Sequence, residues 1–100
     1  MRVVVLGAGG VGSVVAGYLA RAGYEVVMLA RPGHAAKVQQ DGLHLVGLEQ
    51  FQVRVPAFAE AKDLSAADML IITVKTKDMA RALAGVAHMQ VGGVASLQNG

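Results

Sequence analysis

A chain of 100 residues is long enough for one domain with a core and too short for two. Apolar residues make up 54% and charged residues 16%, a composition that folds into a globule and does not stay disordered. The formal net charge is +2, with Arg2, Arg21, Arg31, Lys37, Arg54, Lys62, Lys75, Lys77 and Arg81 scattered in no run or stripe, which argues against nucleic acid as a partner.

Residues 2–6 are apolar and β-branched, as in a strand buried on both faces. A glycine cluster follows, and then Val11, Val14, Val15, Tyr18, Leu19 and Ala22 recur at helical spacing as one apolar stripe. The uncharged stretch 3–20 mimics a signal peptide or a short membrane span. Its glycines each cost roughly 1 kcal/mol inside a helix, so strand, turn and helix is the better reading. The chain is expected to be soluble and cytoplasmic, with no membrane partner. Gly23 stands where glycine closes a helix, and residues 25–30 form a second buried strand. Pro32-Gly33 reads as a turn and residues 35–41 as a short helix closed by Gly42. The period then changes. Leu43 and Leu45, then Phe51, Val53 and Val55, alternate with polar residues, predicting two half-exposed strands (43–46 and 51–55) around a turn at residues 47–50. Residues 68–74 predict another buried strand and residues 77–87 a helix. Gly92-Gly93 is expected to break that helix before a last strand at 94–97. The order β-α-β-α-(ββ)-β-α-β implies an α/β fold, doubly wound and Rossmann-like, with a mainly parallel sheet and an inserted strand pair.

Gly7-Ala8-Gly9-Gly10-Val11-Gly12 fits G-x-G-x-x-G. In this motif the first glycine permits the tight turn out of the strand. The second lets a pyrophosphate approach the backbone, and the third lets helix and strand pack closely. The helix then offers unpaired N–H groups and its positive dipole end to phosphate. A glycine-rich turn alone is weak evidence, but this one follows a predicted strand and opens an amphipathic helix. No acidic residue lies between Met1 and Tyr24.

A unit that binds NAD carries Asp or Glu about 20 residues past the glycines, where it bonds the ribose 2′-OH. Here Arg31 fills that slot and no carboxylate is near it, since Glu25 lies at the other end of the strand. A guanidinium suits the 2′-phosphate of NADP(H), although charged strand-end residues are also common as plain surface. Ligands in such sheets bind beyond the carboxyl ends of the strands. Lys75 and Asn99 both follow strands, and position alone leaves them as a solvated lysine and a turn-forming asparagine.

A glycine loop opening at Gly7, Ala30-Arg31-Pro32-Gly33 after the second strand, Thr73-Val74-Lys75 after residues 68–72, and Gln98-Asn99-Gly100 together resemble the ketopantoate reductases (2-dehydropantoate 2-reductases). The inserted strand pair is similar to theirs, and the resemblance covers the whole chain. It implies NADPH-dependent reduction of a 2-oxo acid in pantothenate biosynthesis. It implies that Arg31 holds the 2′-phosphate, and that Lys75 and Asn99 border the nicotinamide ribose and the substrate. It also implies a second, helical domain that supplies the proton-donating lysine and most substrate contacts, which residues 1–100 do not contain. The 100-residue chain alone is therefore expected to be inactive on ketopantoate. A stand-alone or truncated NADP-binding module without turnover remains open, as does a reductase of another substrate.

The chain has no cysteine, which excludes disulfides, thiolate catalysis and Cys-based metal sites. His34, His44 and His88 lack metal-ligand spacing and read as solvated or turn residues, so no metal site is expected. Met69, Met79 and Met89 read as core, and Asp63, Asp68 and Asp78 as turn and cap residues. A last strand at a sheet edge and a bare face invite association, so a homodimer is the expected state of the isolated chain.

Overall fold

The structure is a computed structural model that describes residues 1–7, 9–45 and 50–97. Its elements in chain order are β1 (Arg2–Leu6), α1 (Gly10–Arg21), β2 (Glu25–Leu29), α2 (Pro32–Asp41), β3 (Leu43–Leu45), β4 (Phe51–Val53), β5 (Ala57–Phe58), β6 (Ala66–Ile72), a 3-10 turn (Thr76–Asp78), α3 (Met79–Val86) and β7 (Gln90–Ser96). Five strands form one sheet in the order β5-β2-β1-β6-β7, and every pair in it is parallel. The chain lays β1, β2 and β5 outward in one direction, then returns to place β6 and β7 on the other side of β1. Strand order thus reverses between β1 and β6, at the center of the sheet.

Alternation along β1 decides what each layer buries. Val3 and Val5 face the core shared with Ala16 of α1, with Ala35 and Val38 of α2, and with Leu43. Val4 and Leu6 face the opposite core, with Ala61, Leu64, Val86 and Met89. Val3, Val4, Val5 and Met28 are almost fully buried. Each such side chain contributes about 1.5–3 kcal/mol by leaving water. The sheet is therefore covered on both faces, as its apolar strands require.

The inserted pair β3–β4 is antiparallel, with Leu43 opposite Val53 and Leu45 opposite Phe51. It packs on α1 rather than joining the main sheet. Gly17 makes that approach possible, because a Cβ there would sit 2.1 Å from Leu45 Cδ1. Phe51 meets Tyr18 edge-on, with ring centroids 5.1 Å apart, and the Arg21 guanidinium lies 4.6 Å over the same ring. Residues 46–49, which include most of the predicted turn, lie outside the described residues.

Several expectations are corrected. Pro32-Gly33 is the first turn of α2 rather than a separate turn. Proline is favored there because the first helical N–H has no partner anyway, and Arg31 becomes the N-cap. The stripe expected to bury α1 is only half right. Val11, Val14 and Tyr18 are exposed, while Gly12, Ala16 and Gly17 are buried. Close packing of a helix on a strand selects the small face over the bulky one. β5 was not foreseen, since two residues are too few for a readable period. The strand predicted at 68–74 ends at Ile72. Gly92 and Gly93 lie inside β7 instead of breaking a helix, and a Cβ on Gly92 would stand 2.8 Å from the Asp68 carbonyl oxygen. Asp68 is a strand residue whose Oδ2 accepts a 2.6 Å hydrogen bond from the Arg2 backbone N–H.

Candidate functional site

The carboxyl ends of β1, β2, β5 and β6 open into one cleft of about 1330 Å³, at the place where strand order reverses. Open α/β sheets bind ligands at such a point. The cleft brings together the glycine loop, Arg31 and Lys75, which are far apart in sequence.

The loop is held from below. Gly7 has φ +104° and donates its N–H to Leu29 O at 2.8 Å, a backbone conformation that favors glycine. Thr73 donates its N–H to Leu6 O at 2.9 Å, and its Oγ1 donates toward Leu6 O at 3.1 Å and Gly7 O at 3.3 Å. A Cβ on Gly12 would lie 2.4 Å from Gly7 O and 2.7 Å from Thr73 Oγ1. Gly7 and Gly12 are thus required by the fold itself.

Gly9 is different. It is the N-cap of α1 with φ −69° and ψ −168°, which any residue adopts, and no atom of the described residues lies within 4 Å of a Cβ placed there. Neither strain nor packing among the described residues explains a glycine at this position. The space left open is what a group approaching the backbone needs. Ser13 N–H donates to Gly9 O at 2.9 Å. Helix geometry leaves the N–H groups of Gly10, Val11 and Gly12 without intrahelical acceptors. Glycine has no side chain to cap them, and the first turn carries no acid. This end of α1 suits an anion.

Arg31 stands one residue beyond Ala30, whose N–H donates to Phe58 O at 2.9 Å. The guanidinium is exposed and lines the cleft, as do the exposed side chains of Lys75, Lys77 and Arg81 on the β6 side. Lys62 adds a further cation, against Glu60 and Asp78. The lining is net positive, which favors anionic ligands. Asp78 N–H donates to Lys75 O at 2.9 Å, which closes the turn after Lys75.

Ala8 and Asn99 lie outside the described residues. Leu97 lines the cleft and donates its N–H to Ile72 O at 2.8 Å. The segment 59–62, with Ala82, Gly85, Val86 and His88, completes the lining. Sequence reasoning missed this wall because β5, which delivers it, was not read. His88 stands in a turn and is exposed, as expected, but its ring also bonds: Nε2 lies 2.8 Å from Ala61 O and 2.9 Å from Leu64 O. Among the described residues no three His, Asp or Glu side chains gather as a metal would need. No described helix is long and apolar enough to cross a membrane.

Known proteins are similar to this chain in sequence and in fold. The 2-dehydropantoate 2-reductase of Pyrococcus abyssi is 33% identical over 101 residues, covering 100% of this chain and 33% of its own length. The crystal structure of a PanE/ApbA family ketopantoate reductase from Ralstonia eutropha JMP134 superposes with a TM-score of 0.90 at 39% identity, covering 100% of this chain and 35% of that one. A D-mandelate dehydrogenase solved with NADH and anilino(oxo)acetate has the same fold, with a TM-score of 0.89 at 22% identity over 100% of this chain and 34% of its own. The chain therefore spans about a third of the length of the proteins it matches. The profile of the family described as ketopantoate reductase PanE/ApbA matches residues 3–100. With a Rossmann-like dinucleotide-binding fold and a profile match along nearly its whole length, the chain belongs to the ketopantoate reductase family.

Proposed function

We propose that residues 1–100 are the NADP(H)-binding domain of a 2-dehydropantoate 2-reductase, which reduces ketopantoate to pantoate in pantothenate biosynthesis. The observation that carries the cofactor choice is Arg31. It caps α2 at the end of β2, faces the same cleft as the glycine loop, and has no carboxylate in the slot where a 2′-OH would be bonded. The N–H groups of Gly10, Val11 and Gly12 hold the pyrophosphate, with Gly9 leaving room for it. Arg31 pairs with the 2′-phosphate in the bidentate way open to a guanidinium.

Bound NADPH supplies the hydride. Lys75 lines the cleft on the β6 side; in this reading the nicotinamide lies there, and the charge of Lys75 draws the carboxylate of a 2-oxo acid. Asn99, which follows β7 in sequence, borders the nicotinamide ribose and the substrate. The proton for the developing alkoxide and most of the substrate pocket come from a second domain of the whole enzyme. Hydride transfer needs both parts, because carbonyl and proton donor must be held together.

Titration of the chain with NADPH and NADH in parallel tests the assignment. NADPH is expected to bind about tenfold or more tightly, with Arg31→Ala removing the difference and leaving NADH binding unchanged. Equal affinity of the unmutated chain for both would overturn the NADP(H) assignment and leave the fold intact.

A further inference from the structure

Resting on the cofactor reading above, we propose that His88 is a positioning residue for the adenosine half of the dinucleotide. It acts by clasping the wall of the cleft that faces Arg31. The 2′-phosphate partner stands at the end of β2, so the adenosine half lies on that side of the glycine loop. The neighbor of β2 there is β5, and the chain leaving β5 supplies Ala59, Glu60, Ala61 and Lys62 to the lining. The placement of this short segment sets how wide the adenosine end of the cleft is.

Its inner side is anchored by packing. Ala61 and Leu64 are buried in the same core as Val86 of α3. Leu64 N–H closes a turn onto Ala61 O at 2.9 Å, and Gln90 N–H reaches Ser65 O at 3.0 Å. Across this turn stands His88, just beyond the C-terminal end of α3, with Nε2 at 2.8 Å from Ala61 O and 2.9 Å from Leu64 O. Both partners are carbonyl oxygens, which only accept. Nε2 therefore carries the proton and donates to both, which fixes the tautomer of the neutral ring.

The contact ties two sides of the cleft. Glu60 and Lys62 flank Ala61 and line the cleft, paired with each other at 3.9 Å. Ala82, Gly85 and Val86 line it from α3. Without His88 the turn keeps its apolar plug but loses the polar link to α3, and the 59–62 segment is free to drift from the position that matches an adenosine.

The test is calorimetric titration of the unmutated chain, His88→Ala and His88→Gln with 2′,5′-ADP, which carries the adenosine half, and with inorganic pyrophosphate, which addresses the glycine loop alone. His88→Ala is expected to weaken 2′,5′-ADP about fivefold and to leave pyrophosphate unchanged. His88→Gln, whose amide N–H₂ also donates, is expected to recover most of the loss. As a check that needs no substitution, 2′,5′-ADP should slow hydrogen exchange at the Leu64 amide, and pyrophosphate should not. Equal 2′,5′-ADP affinity in His88→Ala, an equal loss for both ligands, or no change at Leu64 would overturn the role of His88. Failure of the unmutated chain to bind 2′,5′-ADP would overturn the cofactor reading and this role with it.

Discussion

Replacing Gly12 with alanine places a methyl group 2.4 Å from Gly7 O, 3.0 Å from Gly7 C and 2.7 Å from Thr73 Oγ1. None of these atoms is free to retreat. Gly7 N–H is bonded to Leu29 O, Thr73 N–H to Leu6 O, and Thr73 Oγ1 to both Leu6 O and Gly7 O. Relief must come from α1, whose first turn has to lift by about 1 Å to reach ordinary contact distance. Ala16, fully buried against the sheet, then loses contact. Overpacking of this kind costs about 1–3 kcal/mol, and alanine returns at most about 1 kcal/mol through its better helix propensity. A 2.4 Å approach to a backbone oxygen that is held in place belongs at the upper end of that range, so the net loss is about 2 kcal/mol, a fall in Tm of about 8–16 °C for a domain of this size. The lifted N–H groups also miss the phosphate, so NADPH affinity falls by about tenfold or more. Gly9→Ala supplies the contrast. It meets nothing within 4 Å among the described residues and changes stability by about 0.5–1 kcal/mol through the N-cap, yet it fills the space assigned to the pyrophosphate and loses comparable affinity. Thermal unfolding followed by circular dichroism, with NADPH titration of the same samples, separates the two. Wild-type stability in Gly12→Ala, or wild-type affinity in Gly9→Ala, would refute the reasoning.

Gly17→Ala drives a methyl into Leu45 and should destabilize the chain by about 1–3 kcal/mol in urea. Adding Leu45→Ala should recover part of that loss, whereas simple additivity of the two would contradict the contact. Met28→Ala, at a side chain with 0% exposure, should cost about 2–5 kcal/mol, and a change below about 1 kcal/mol would mean the core is misassigned. NADPH affinity should fall as salt rises, because the cations lining the cleft are exposed and screened, and a salt-independent Kd would remove the electrostatic part of the account. The open edge at β7, with Val94 and Leu97 exposed, is expected to make the isolated chain associate. A monomer mass by sedimentation at every concentration would rule that out.

The parts of the fold that were legible in the sequence are those where one local rule decides. The apolar runs of β1 and β2, the glycines ending α1 and α2, and the strand pair inserted between α2 and β5 all follow from composition and period. What escaped depends on neighbors. Gly92-Gly93 reads as a helix breaker until β7 is paired with β6, where close approach to the Asp68 carbonyl gives the glycine a purpose. The bulky residues of α1 look like its buried face until the sheet accepts only Gly12, Ala16 and Gly17. That the glycine loop, Arg31 and Lys75 line one cleft was legible from the motif, from the slot after β2, and, for Lys75, from its place after a strand together with the family resemblance. The wall formed by 59–62 and its tie to His88 was not, because a two-residue strand and a histidine bonding across 24 and 27 residues leave no periodic trace.

The most direct test of the central claim is to add NADPH to the isotopically labeled chain and follow its backbone amides by NMR. The account predicts saturable shifts at Gly9, Gly10, Val11 and Gly12, at Arg31, and along residues 59–62, with the Arg31 shift much reduced when NADH replaces NADPH and the 59–62 shifts, which report the adenosine common to both, retained. Shifts that leave the glycine loop untouched, or that are the same for both cofactors at Arg31, would contradict it.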